Sequence, residues 1–167
     1  MGRGLTNGVR RDWRVAVASV AGTAHLANSA LCQDRAEVRF AEGADDDALV
    51  AIVADGAGSA AGAAIGAELA AIALADLAVD YLRRGGPVAG LTKPTATAWI
   101  DAIVYTLAAR AERDRASLGD YACTLLGAIV GERAGAFLQI GDGAIVVGAN
   151  GSPTWSHVFW PQHHESK

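Results

Sequence analysis

The sequence predicts an α+β domain in which long helices pack on antiparallel sheet. Three observations carry that class. Strand-like runs at 34–40 and 48–54 precede two long helical stretches, and four short strand-like runs follow them. Good turn chemistry separates the later runs: Gly-Glu-Arg-Ala-Gly at 131–135, Gly-Asp-Gly at 141–143 and Asn-Gly-Ser-Pro at 150–153. No repeat, low-complexity tract or linker divides the 167 residues, a length that suits one domain with a substantial core.

Each element has a local reason. Residues 13–21 alternate apolar with small or polar side chains and predict a first strand, and 22–33 predict a loop. Residues 34–40 predict a second strand, and the acidic stretch 42–47 a solvated turn rather than a calcium loop, whose Asp spacing and Gly are absent. The run 48–54 is apolar throughout and stops abruptly at Asp55-Gly56-Ala57-Gly58-Ser59. A helix is expected from Ser59 to about Leu82, rich in the best helix former, with Ile65, Leu69, Ile72 and Val79 on one broad face. Gly85-Gly86-Pro87 ends it. A second helix is expected from Pro94 or Thr95 to Arg115, with Trp99, Ile103 and Leu107 as a core stripe. Arg110, Arg113 and Arg115 suit the negative end of its dipole. Strands are then expected at 123–130, 136–140, 144–147 and 154–159. The domain is expected to span 13–162, with flexible ends at 1–12 and 163–167.

Composition narrows the function. Net charge is −4 with no long basic block, which disfavours nucleic acid as a partner. Glu68, Asp76 and Asp80 interrupt the most apolar helical stretch, so no membrane partner is expected. The first seven residues lack the apolar core of a signal peptide, and Cys32 and Cys123 read as reduced thiols rather than a disulfide or zinc framework. A cytoplasmic setting follows as the simplest expectation, and the oligomeric state stays open.

Three carboxylates share a signature: Asp34 after Gln33, Asp55 before Gly56, and Asp142 between Gly141 and Gly143. Each stands at a strand end or hairpin tip. Oxygen donors of this kind are what hard cations such as Mg²⁺ and Mn²⁺ prefer. If the three converge they hold such an ion with water still bound; alternatively each Asp merely caps a turn. Asp55 argues hardest for a ligand, because it closes an otherwise apolar strand. His25, in the loop before Asp34, is a candidate to face a phosphate, or else a solvated loop histidine. His163, His164 and Glu165 lie in the last five residues and read as a frayed tail. Gly56-Ala57-Gly58-Ser59-Ala60-Ala61-Gly62 invites a rival reading as a dinucleotide loop. Asp55 would crowd the phosphates there, and no acidic strand end for a ribose follows at the usual distance.

These residues carry a family resemblance. Val53-Ala54-Asp55-Gly56-Ala57-Gly58-Ser59 resembles the V-x-D-G-x-G-G motif of the metal-dependent (PPM, or type 2C) protein phosphatases. Cys32-Gln33-Asp34 resembles their first acidic motif, and Gly22-Thr-Ala-His25 looks like the bacterial branch. Thr124-Leu-Leu-Gly-Ala-Ile-Val130 and Gln139-Ile-Gly-Asp142-Gly resemble a later hairpin of the family. The match is ordered and runs over about 13–162.

The resemblance implies an α-β-β-α sandwich and hydrolysis of phosphoserine or phosphothreonine on protein substrates by metal-bound water, with two Mn²⁺ or Mg²⁺ ions. Asp34 and Asp55 would be catalytic. Asp55 would bridge the metals, the Gly56 carbonyl would bind one, Asp34 would act on the bound water, and Asp142 would touch a third, weaker ion. Departures accompany it. Ala57 stands where many members have a His proposed as general acid, and Gln33 replaces the Glu of some. The family's later S-D-G and D-N motifs have no counterpart after position 142. The expectation is therefore a form lacking the C-terminal third and its strands, with an incomplete metal shell and weak or absent activity. The alternative is a non-catalytic binding or regulatory module that keeps the phosphatase fold.

Overall fold

The computed structural model describes residues 13–20, 32–42 and 47–160. Strands β1 (Asp34–Glu42) and β2 (Asp47–Asp55) form an antiparallel pair, with Asp34 opposite Asp55 and Phe40 opposite Leu49. Helices α1 (Ala63–Arg83) and α2 (Lys93–Asp114) follow, each trailed by a short 3₁₀ turn, at Val88–Gly90 and Leu118–Tyr121. Then come β3 (Leu125–Val130), β4 (Gly135–Ile140), β5 (Val146–Gly148) and β6 (Trp155–His157). The first four strands make one sheet in the order β1-β2-β3-β4, antiparallel throughout, and β5 pairs with β6. The class is α+β, as the segregation of strands and helices predicts. Among the described residues no helix is long and apolar enough to cross a membrane.

Helix α1 lies across β1 and β2, and α2 packs on α1. The buried face of α1 corrects the sequence expectation. Ala63, Gly66, Ala67, Ala70, Ala71, Ala75 and Ala78, with Leu74 and Leu82, are the enclosed residues, while Ile65, Leu69, Ile72 and Val79 are only half-buried. The reason is steric. A stripe of alanines lets the helix axis approach Val50, Ile52 and Ala54 of β2 closely, and the larger side chains fill the flanks. On α2, Ile103 and Leu107 are buried as expected and Trp99 packs against the core from its margin.

Both helix ends follow from backbone chemistry. After α1, Gly85 takes φ 86°, and the amides of Gly86 and Gly85 donate to the carbonyls of Tyr81 and Leu82 at 3.0 and 2.9 Å. That is the paired-bond C-terminus for which Gly is suited. After α2 the same left-handed position is filled by Arg115 at φ 55°, and the amide of Ala116 donates to the Ala111 carbonyl at 2.9 Å.

Residues 13–20 form no strand, against expectation. Val15, Val17 and Val20 are 42%, 55% and 76% exposed, and the segment flanks a cleft of about 380 Å³ with Ala36, Val38, Ala51 and Val53. It lies over the face of the sheet instead of along its edge, and alternation alone makes no ladder. Residue 21 and the expected loop to residue 31 lie outside the described residues. Strands β3, β5 and β6 are also shorter than their apolar runs suggest. All six residues of β5 and β6 are exposed, and a lone two-stranded pair gains little from lengthening.

Candidate active site

Alternation along β2 sends Val50, Ile52 and Ala54 toward α1 and places Asp55 on the opposite face, exposed at the strand end. Asp34 is its cross-strand partner, so the two carboxylates share that face. The pair is set by register alone. Like charges directly opposite each other on a sheet repel, and a bound cation relieves that repulsion.

Gly56 is buried directly behind the pair. Its amide donates to the Gln33 carbonyl at 3.2 Å, and it bridges to Cys123 on the other side. A Cβ on Gly56 would sit 2.7 Å from the backbone carbon and oxygen of Ala63, so only glycine lets the strand end pass under the start of α1. The following loop is tied to the segment after α2. The Ala57 amide donates to the Ala122 carbonyl at 2.9 Å, and the Gly62 amide to the Asp120 carbonyl at 2.7 Å.

Tyr121 holds this tie in place. Its ring lies against Gly62, and its backbone crosses Gly66 so closely that a Cβ there would be 2.2 Å from the Tyr121 oxygen. Its hydroxyl donates to Asp114 Oδ2 at 2.7 Å, and the Arg110 guanidinium donates to the same carboxylate. The Tyr121 hydrogen bond, then that of Arg110, holds the Asp114 carboxyl below its ordinary value of 3.8. The same bond to Asp114, followed by burial, raises the Tyr121 phenol above 10.0. Sequence reading missed Tyr121, whose signal is an aromatic between two long elements in a glycine-rich setting.

The thiols flank the carboxylates. Cys32 Sγ lies 3.6 Å from Asp34 Oδ2 and 3.1 Å from Ser19 Oγ. Burial, and then the charge of Asp55, push the Cys123 thiol upward and keep it neutral. Both cysteines are free.

Thr124 stands between two of the predicted acids. Extending the β2–β3 register from Val53 opposite Leu126 sets Thr124 opposite Asp55. Its amide donates to the Asp55 carbonyl at 2.8 Å, and its Oγ1 accepts from the Asp55 amide at 3.1 Å. On its other side the β3–β4 register, with Leu125 opposite Ile140, brings it to Gly141, which turns at φ 93° into the exposed Asp142. Asp34, Asp55, Thr124 and Gly141 thus form one row across the sheet.

The structure brings Asp34, Asp55 and Gly56 together. Asp142 shares their end of the sheet but begins two strands over from Asp55, about 10 Å away at ordinary strand spacing. Among the described residues no three His, Cys, Asp or Glu side chains gather closely enough to hold a metal ion, so the three aspartates do not converge. The physical reason is Thr124, which occupies the strand between. His25, His163, His164 and Glu165 lie outside the described residues. The donors present still fit a hard cation: Mg²⁺ is commonly held by one or two carboxylates while keeping several waters.

Comparison with known proteins gives the family. A family model described as Protein phosphatase 2C matches residues 21–167. The chain is 37% identical over 140 residues to Serine/threonine-protein phosphatase 3 of Escherichia coli (strain K12), covering 81% of this chain and 53% of that protein. It therefore spans about half the length of that curated relative. No solved structure matches. The chain belongs to the protein phosphatase 2C family.

Proposed function

We propose that this chain carries the Asp34–Asp55 half of a metal-dependent phosphatase centre acting on phosphoserine or phosphothreonine in protein substrates. The observation that supports it most is the cross-strand pairing of Asp34 and Asp55 on the exposed face, with buried Gly56 behind them. Asp34, Asp55 and the Gly56 carbonyl would hold Mn²⁺ or Mg²⁺. The cation supplies positive charge that makes water a better nucleophile at neutral pH and steadies phosphoryl oxygens. Asp55 would be the main ligand of the ion, and Asp34, the other anion of the pair, would accept a hydrogen bond from water there and so orient it. Asp142, one strand spacing beyond Thr124, would hold a separate and weaker ion. With two carboxylates in reach the affinity is low, and the activity of this chain is weak.

The test is Mn²⁺-dependent hydrolysis of a phosphothreonine peptide by the chain and by Asp55→Asn. Low activity that disappears with the substitution is expected. Strong activity that survives it removes Asp55 from the metal. A second reading, a non-catalytic module on the same fold, draws support from the absence of a three-ligand cluster among the described residues. It requires no Mn²⁺ binding, which calorimetry measures directly.

A further inference from the structure

We propose that Thr124 is a positioning residue that spaces the Asp55 carboxylate from the Gly141–Asp142 turn, its hydroxyl setting one side and its methyl group the other. The inference rests on the metal-centre reading of Asp55 and adds to it a residue that touches neither substrate nor metal.

The hydroxyl half follows from the ladder. In an antiparallel pair every second set of facing residues exchanges both backbone bonds, and the bond from the Thr124 amide marks this set as one of them. Thr124 and Asp55 face each other, and the Thr124 amide does bond the Asp55 carbonyl at 2.8 Å. The Asp55 amide, however, donates to Thr124 Oγ1 at 3.1 Å, so a side chain stands where a backbone carbonyl would serve. Regular β3 accordingly begins only at Leu125, and Cys123 makes an isolated bridge to Gly56. The local departure occurs at the residue that bears the carboxylate. A side-chain acceptor holds the Asp55 amide while the strand end turns away beneath α1.

The methyl half follows from contact. A Cβ on Gly141 would lie 2.7 Å from Thr124 Cγ2 and 3.0 Å from Thr124 Cβ. Gly141 therefore rests directly on the threonine side chain, at a φ of 93° that already favours glycine. Asp142 follows in the chain. Thr124 is half-buried, so its rotamer is held by its neighbours rather than by water. Serine would keep the hydroxyl and lose the prop. Valine would keep the prop and lose the acceptor. No other pair of substitutions separates the two halves so cleanly.

The experiment measures Mn²⁺ affinity by calorimetry and amide exchange of the metal-free chain by NMR, for the unmodified chain, Thr124→Val, Thr124→Ser and Asp55→Asn. Thr124→Val should weaken Mn²⁺ binding about 10-fold, the range for groups that orient a metal ligand, and should speed exchange at the Asp55 amide. Thr124→Ser should return the Asp55 amide to its original protection while shifting the amide signals of Gly141 and Asp142. Ile129→Val, which loses one methylene from the same strand's core face, reports what destabilisation alone does to both readouts. Unchanged Mn²⁺ affinity and unchanged Asp55 exchange in Thr124→Val, with binding lost in Asp55→Asn, overturn the proposal and leave the metal reading standing. Binding that survives Asp55→Asn overturns the metal reading itself. Should Thr124→Val fail to fold, Thr124→Ser decides: unshifted Gly141 and Asp142 signals overturn the spacing role.

Discussion

The two faces of the four-stranded sheet are built from the same strands and differ in almost every other respect. Toward α1, Val50 and Ile52 are 0% and 1% exposed. On the opposite face, Val53 and Phe40 are 46% and 59% exposed. The chemistry of β1 makes the contrast sharper. Its helix-side residues are Arg35, Glu37 and Arg39, linked by ion pairs through Glu37 with Arg35 also reaching Glu68 of α1, and then the buried Ala41. Ala36, Val38 and Phe40 point the other way. The lesson is that the covered face stores stability, while the open face carries the carboxylates at its end. Stability and chemistry are divided by strand alternation.

The largest expected effect tests that division directly. Ile52→Ala should cost about 2–5 kcal/mol in denaturant unfolding, because it opens a cavity against Leu74 and α1. Val53→Ala, one residue along, should cost less than about 1 kcal/mol. Equal losses would mean that the open face is as tightly packed as the other.

Next comes the tie between α1 and Tyr121. Gly66→Ala should cost about 1–3 kcal/mol, since its Cβ would strike the Tyr121 backbone, whereas Gly58→Ala meets only Gln33 Oε1 at 3.8 Å and should be near neutral. Melting temperatures of the two variants make the comparison.

A smaller effect is set by pH. The Asp114 carboxyl is held below 3.8, so its contribution is complete above that value and fades as pH falls through the lowered one. The Tyr121 phenol is raised above 10.0, so its contribution is complete below 10.0 and fades as pH rises through the raised value. The melting-temperature gap between the chain and Tyr121→Phe should therefore hold steady from about pH 5 to 8 and shrink at both extremes. A gap that widens in acid would contradict the assigned bond.

The smallest change belongs to the open face. Without metal, Asp55→Asn should leave stability unchanged or raise it by about 0.2–1 kcal/mol, because one of two facing like charges is gone. A clear loss in urea unfolding would mean that the carboxylate is part of the scaffold.

Much of this was legible in the sequence. The apolar run ending at Asp55, the Gly85-Gly86 stop and the glycine-bounded hairpins each depend on local backbone preference, which acts within a few residues. Other parts depend on neighbours far along the chain. The alanine stripe of α1 became the core only because β2 lies against it. Residues 13–20 alternate like a strand yet find no ladder. Tyr121 lies in no motif that announces a clamp, and the motif that opens at Thr124 says nothing of its neighbours; their contacts exist only where α1, β2 and β4 meet them.

Sequence by itself determined the two long helices, the strands that lead to Asp55 and the turns between the later strands, because hydrophobic period, glycine freedom and proline restriction are properties of short segments. Tertiary structure alone decided that Asp34 faces Asp55 while Asp142 stands apart. Pairing register and the strand placed between are set by long-range ladder bonds and by the packing of α1, which no local pattern encodes.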